Sequence, residues 1–226
     1  MDWQKRKVLV TGGASFMGSN LVNALLDRGA HVRVVDDMSS GRLSNIHEHI
    51  EKRHVELLEG DLRVQGVAAR AAAGMSVVFH LAADHGGRGY VDLHQAACSV
   101  NLMLDGLVFQ ACKNAKVEKV VYASSGCVYP NHIQTNPSEV LYLTEDMVGP
   151  PYDADHMYGW AKLMAEMTLR AYQKDWGMKS ASCRYLTVYG PRVREAEPLR
   201  GVGDRRADSQ LDLRRRHRCR HHSRFR

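Results

Sequence analysis

The chain has 226 residues, with 31 Lys plus Arg against 25 Asp plus Glu and a formal charge of +6. Twelve arginines against five acidic residues lie between Pro191 and Arg226, so residues 1–190 hold 19 basic and 20 acidic side chains, an ordinary surface without a nucleic-acid footprint. Five cysteines (Cys98, Cys112, Cys127, Cys183, Cys219) show neither metal spacing nor a disulfide framework. No apolar run approaches the roughly 20 residues needed to cross a bilayer, so the expectation is a cytoplasmic chain with no metal, no membrane and no nucleic-acid partner.

Short β-branched runs at Lys7 to Val10, His31 to Val35, His54 to Leu58, Val77 to Leu81, Val117 to Ala123 and Ser180 to Leu186 predict strands. Between them Gly18 to Arg28, Val64 to Ala73, His94 to Lys113 and His156 to Trp176 predict helices, broken at Gly29, Gly74 and Gly177. Apolar strands alternating with helices predict an α/β domain, a doubly wound parallel sheet of the Rossmann type covered on both faces. Pro130 to Pro151 is the longest structure-poor stretch, of the kind that is usually functional.

The first strand leads into Thr11-Gly12-Gly13-Ala14-Ser15-Phe16-Met17-Gly18. A helix N-terminus offers unpaired N–H groups and a favourable dipole to an anion, and glycines let the backbone approach a pyrophosphate closely. Ser15 stands where the usual spacing has a glycine, so a pyrophosphate there meets a Cβ and a hydroxyl that either donates to it or crowds it. Asp36, 18 residues after Gly18 at the end of the second strand, is placed to bind ribose hydroxyls, with Asp37 beside it. A carboxylate there repels a 2′-phosphate, which favours NAD over NADP. Asp61-Leu62 closes the third strand against the adenine, and Leu81-Ala82-Ala83 ends the fourth with residues small enough to let a cofactor pass.

Tyr158 and Lys162 lie one helical turn apart on a common face. A nearby ammonium and the positive nicotinamide are expected to lower the tyrosine pKa, so that the phenolate takes a sugar hydroxyl proton as hydride leaves. Ser125, at the end of the fifth strand, is the natural hydroxyl to share that proton. His80 is expected to pack at a strand end, and His85, Arg88 and His94 receive no role.

In this order the motifs resemble the extended short-chain dehydrogenases/reductases, specifically the NAD-dependent nucleotide-sugar epimerase/dehydratase family, from about Lys7 to Arg192. The same run includes Asp36-Asp37-Met38-Ser39-Ser40-Gly41, His80-Leu81-Ala82-Ala83, Asn101, Tyr122-Ala123-Ser124-Ser125 and Tyr189-Gly190-Pro191. The resemblance implies a catalytic Ser125, Tyr158 and Lys162 with Asn101 supporting the cofactor site from its helix, a nucleoside-diphosphate sugar as substrate, and leaves a family-type homodimer open. Ala82 to Tyr90 and Ser124 to Pro130 are similar to the GDP-mannose 3,5-epimerase branch. In that branch a cysteine at the place of Cys127 exchanges protons with sugar carbons, although the lysine paired with it has no counterpart here, since none follows Lys179.

From Leu199 on, the sequence is arginine-rich and no longer similar to the family's second, substrate-binding lobe. Read one nucleotide later with free choice of synonymous codons, Leu199 to His217 can spell FEVWGTGEQTRSWTYVDDI, which is similar to that lobe. Residues 1–192 are therefore expected to form the NAD-binding domain with the catalytic residues, and 193–226 a frameshifted, disordered tail in place of a truncated second lobe. Three readings of function follow: an NAD-dependent epimerase acting at C3 and C5 or at C4 (or a related dehydratase or decarboxylase), a silent NAD-binding remnant, and an arginine-tail nucleic-acid binder, the weakest.

Overall fold

The computed structural model describes residues 2–135 and 140–192. The expectations for 193–226 lie outside the described residues. Six strands, β1 (Lys7–Thr11), β2 (His31–Asp36), β3 (Val55–Glu59), β4 (Val77–His80), β5 (Lys119–Ser125) and β6 (Lys179–Tyr185), form one sheet. Its order is β3-β2-β1-β4-β5-β6 and every pairing is parallel.

The apolar strands explain why both faces are covered. On β1, Val8 and Val10 join Val32, Val34 and Val77 in a core completed by Val22 and Leu25 of helix α1 (Phe16–Leu26). Leu9 points the other way, into a second core with Val35, Val78, Val120 and Tyr122, as successive side chains on a strand must. That core is closed by α3 (Val67–Ala72), α6 (Asn101–Asn114) and α7 (His156–Trp176), which supply Ala71, Phe109 and Leu169. The strand order reverses between β1 and β4, where a doubly wound sheet opens a crevice at its carboxyl edge.

The structure departs from the sequence reading in three places. The helix expected from His94 to Lys113 is divided into α5 (Gln95–Ser99) and α6, and α4 (Arg88–Leu93) precedes them. His94 sits at φ −119, ψ 48, outside the helical region, and separates α4 from α5. The short, polar α2 (His47–Glu51) carries no apolar periodicity and was not expected. Strand β5 begins and ends two residues later than predicted, with Ser125 at its end, where the sequence reading placed that hydroxyl.

The carboxyl end of β6 is tied to α7 by a buried pair. Arg184 donates through Nε to Glu166 Oε1 at 3.1 Å and through Nη2 to Oε2 at 2.8 Å, and Ser124 donates to the same carboxylate at 2.6 Å. Both charged side chains are at most 5% exposed. Removing Arg184 leaves the buried Glu166 carboxylate with only Ser124 and the exposed Arg170, 3.8 Å away, whereas removing both charges leaves no buried carboxylate. Arg184→Met is expected to cost about 3–5 kcal/mol in urea unfolding, and Arg184→Met with Glu166→Met markedly less; a single-variant cost below about 1 kcal/mol contradicts this account of the tie.

Candidate active site

The turn after β1 is built for close approach. Gly12 adopts φ +67, and a Cβ on Gly18 would fall 2.1 Å from the Gly12 carbonyl oxygen, so no side chain fits there. Phe16 and Met17 open α1 directly behind this turn, and the first turn of the helix has no acidic residue to oppose an anion. Ser15 resolves differently from either expectation. Its hydroxyl donates to the Gly12 carbonyl at 2.6 Å, so its proton serves the turn and only its lone pairs face outward.

Gly12, Ser15, Asp36, Asp37, Asp61, Leu62, Leu81, Ala82, Ala83 and Asn101 line one cleft of about 170 Å³ at the carboxyl edge, together with Arg63 and Asp84. A larger cleft of about 390 Å³ lies at the opposite, amino edge of the strands among Lys7, His31 and Arg53, away from every predicted site residue. Gly13 belongs to the turn and Phe16, Met17 and Gly18 to the start of α1, and none of them lines that cleft.

Several predicted cofactor contacts have structural duties as well. Asp36 accepts from the Ala14 N–H at 2.9 Å and the Met38 N–H at 3.0 Å, one on each oxygen, which ties β2 to the glycine turn. Burial pushes its carboxyl above the ordinary range, against the lowering effect of those two donors. Asp37 accepts from the Ser39 N–H at 3.0 Å. Asp61 is gripped by Arg63 through Nε and Nη2 at 2.8 to 3.0 Å, which holds its carboxyl below the usual range. A guanidinium thus stands in the cleft, a feature that the sequence reading passed over. Asn101 is buried, with its Oδ1 accepting from the Asp84 N–H and its Nδ2 donating to the Asp84 and Cys98 carbonyls, so its amide fixes the loop after β4.

Outside the lining of that cleft, α7 brings Tyr158 and Lys162 to the carboxyl end of β5. Ser125 stands close enough to Tyr158 to lower its phenol's pKa against the effect of burial, and the Ser125 hydroxyl accepts from the Cys127 N–H at 3.2 Å. Lys162 is 2% exposed, with Nζ 4.7 Å from the Tyr122 ring centroid and 5.6 Å from that of Tyr158. Gly159 makes the approach possible: a Cβ there would lie 2.4 Å from the Cys127 carbonyl oxygen. The four predicted catalytic residues are thereby brought together.

Burial is the largest influence on Tyr158 and drives its phenol well above the ordinary range, with Cys127, Asp105 and Cys98 adding to it and Ser125 opposing. The ammonium of Lys162 lies over the ring and does not offset this. Lys162 itself is pulled below its ordinary value by burial, opposed by Asp105 and Cys127. Burial also pushes the Cys127 thiol up, so it stands as a protonated group.

Arg88 is paired with Asp92 at 3.0 Å and with Asp155, and Tyr90 stacks on His94 at 4.5 Å, which accounts for two of the residues left without a role. His80 is fully buried and hydrogen-bonded to Thr11 and Asp105. Among the described residues no group of His, Cys, Asp and Glu could hold a metal ion, and no helix is long and apolar enough to cross a membrane.

The chain is 30% identical over 189 residues to GDP-mannose 3,5-epimerase 1 of Oryza sativa subsp. japonica, covering 83% of this chain and 48% of that protein. It is 33% identical over 190 residues to UDP-glucose 4-epimerase of Mycolicibacterium smegmatis, covering 82% and 57%. The solved UDP-glucuronic acid 4-epimerase of Bacillus cereus, in complex with UDP-glucuronic acid and NAD, superposes with a TM-score of 0.72 at 28% identity, over 84% of this chain and 60% of that one. The chain spans about half the length of the curated relatives it matches. The family model for NAD dependent epimerase/dehydratase matches residues 8–208, and the chain belongs to that family.

Proposed function

We propose that residues 1–192 bind NAD along the carboxyl edge of the sheet and form the reaction half of an epimerase for a nucleoside-diphosphate sugar. The observation that carries this reading is the juxtaposition of a turn without room for a side chain at Gly18 with Tyr158, Ser125 and Lys162 at the far end of the same sheet edge. Gly12, Gly13 and Gly18 give the pyrophosphate access to the N–H groups that open α1 at Phe16 and Met17. Asp36 retains one lone pair on each oxygen for ribose hydroxyls, and Asp61 and Leu62 border the adenine. Bound NAD supplies a hydride acceptor. With the positive nicotinamide added to the charge of Lys162, the phenolate of Tyr158 would be favoured against the effect of burial and would take the proton of the sugar hydroxyl, with Ser125 sharing it.

Two activities divide on Cys127. Its thiol, protonated and adjacent to Tyr158, fits the donation of a proton to a sugar carbon in 3,5-epimerisation, while 4-epimerisation has no use for it. The relatives include both kinds at similar identity. In the silent-remnant reading the chain binds NAD without turnover. The cysteine chemistry and the four free thiols among the described residues suit a reducing cytoplasm. Leu102 and Met103 on α6 and Trp160 and Met164 on α7 are exposed apolar side chains on adjacent helices, which supports a homodimer through that face.

Calorimetric titration is expected to show NAD binding more tightly than NADP, and equal or tighter NADP binding overturns the assignment of Asp36. Asp36→Ala weakens NAD binding and also destabilises the lobe, because two backbone N–H groups lose their acceptor at about 1–3 kcal/mol for each left buried and unpaired. With a nucleoside-diphosphate sugar present, Tyr158→Phe abolishes NADH formation; NADH formed equally by the variant removes Tyr158 from the chemistry, and none formed by either protein selects the remnant. Cys127→Ser separates the epimerisations, since loss of solvent deuterium exchange into the sugar marks the 3,5 reaction and unchanged exchange rules out the cysteine. Sedimentation should find a dimer that Trp160→Glu with Met164→Glu splits, and a monomeric parent chain contradicts the helix-face interface.

A further inference from the structure

A chain of buried polar groups runs behind the site and is not used in the chemistry above. It begins at Thr11, the last residue of β1, whose hydroxyl oxygen accepts the Leu81 N–H and the Ala82 N–H, both at 3.0 Å. A hydroxyl has two lone pairs and one proton. With both lone pairs engaged, the proton goes to His80 Nδ1, 2.7 Å away. His80 therefore carries its own proton on Nε2 and donates it to Asp105 Oδ1 at 2.9 Å. The second oxygen of Asp105 accepts from the Tyr122 hydroxyl at 2.6 Å. Thr11, His80 and Tyr122 are 0% exposed and Asp105 is 2% exposed.

The consequence is a buried carboxylate without a cation in contact. Among the described residues its one ion-pair neighbour is His80, and the tautomer that Thr11 imposes makes that imidazole a neutral donor. The nearest buried cation on the same ring is Lys162. Its Nζ lies 4.7 Å over the face of Tyr122, whose hydroxyl is bonded to Asp105. The phenol thus stands between a carboxylate at its edge and an ammonium on its face. Other groups around Lys162 do not replace Asp105. Glu166, one turn along α7, is taken by Arg184 and Ser124. Cys127 on its turn and Cys98 on α5 are thiols that burial pushes up, so neither supplies a negative charge.

We propose that Asp105 is the positioning residue of the site, the buried counter-charge that keeps Lys162 an ammonium in a pocket that would otherwise neutralise it. A lysine removed from water loses its proton readily unless an opposite charge lies close by. The Thr11–His80 arm sets where that charge sits, and because the same Thr11 oxygen holds the Leu81 and Ala82 amides, the wall of the cofactor cleft and the charge under Tyr158 share one anchor. The inference rests on reading Tyr158 and Lys162 as reaction machinery, but the charge pairing can be measured without turnover.

Asp105→Asn is the informative change. The amide oxygen still accepts from His80 and the amide nitrogen donates to a Tyr122 hydroxyl turned to accept, so shape and bonding persist while the charge disappears. The full chain labelled with ¹³C at the lysine ε carbons is titrated by NMR, with the Lys162 resonance assigned from Lys162→Met. The expected result is a Lys162 midpoint at least about one unit lower in Asp105→Asn, a tenfold change in acidity; an unchanged or higher midpoint overturns the proposal. If that variant does not fold, Asp105→Ser tests the same point, because it removes the carboxylate and leaves a hydroxyl among the same partners. Its Lys162 midpoint should fall likewise, and an unchanged or higher midpoint overturns the proposal. NAD titration of the same parent sample keeps the two readings apart, since failure to bind NAD defeats the proposed function and leaves the charge pairing standing.

Discussion

No side chain can occupy position 18, because a Cβ would sit 2.1 Å from the Gly12 carbonyl oxygen. That single steric constraint brings the start of α1 against the end of β1 and leaves helix N–H groups facing the crevice where the strand order reverses. The rest of the carboxyl edge is organised around it. Asp36 takes the Ala14 N–H from the turn, Ser15 returns its proton to Gly12, and Asn20 Nδ2 bridges the Phe16 and Pro191 carbonyls so that the segment after β6 lies across the same helix end.

What holds the far end of the site is polar and buried. Thr11, His80, Asp105 and Tyr122 link β1, β4, α6 and β5 through hydrogen bonds of 2.6 to 2.9 Å. Ser124, Glu166 and Arg184 link β5, α7 and β6. Such networks contribute only when every member is satisfied, and no buried side-chain polar atom among the described residues lacks a partner. A site that must place a phenol, a hydroxyl and an ammonium together gains its order from this frame rather than from the loops around it.

Much of this was legible in the residues. Apolar strands punctuated by Gly29, Gly74 and Gly177 gave the doubly wound sheet because periodicity and breakers are local signals. The helical spacing of Tyr158 and Lys162 placed both on one face. The roles of Asp36, Asp61 and Asn101 were less legible, because their additional partners, Ala14 and Met38, Arg63, and Asp84, meet them only in the fold. Asp105 was invisible for the same reason: a lone carboxylate in an amphipathic helix reads as surface until His80 and Tyr122 close on it. Spacing shows the ammonium near Tyr158 but not the burial that acts against it.

A crystal structure of the 226-residue chain grown with saturating NAD tests the central claim most directly. The account predicts the pyrophosphate over Gly12 to Gly18 with the nicotinamide ring facing Tyr158 and Ser125. Density for the dinucleotide in the cleft at the amino edge near Lys7 and Arg53, or an empty carboxyl edge at saturation, would contradict it.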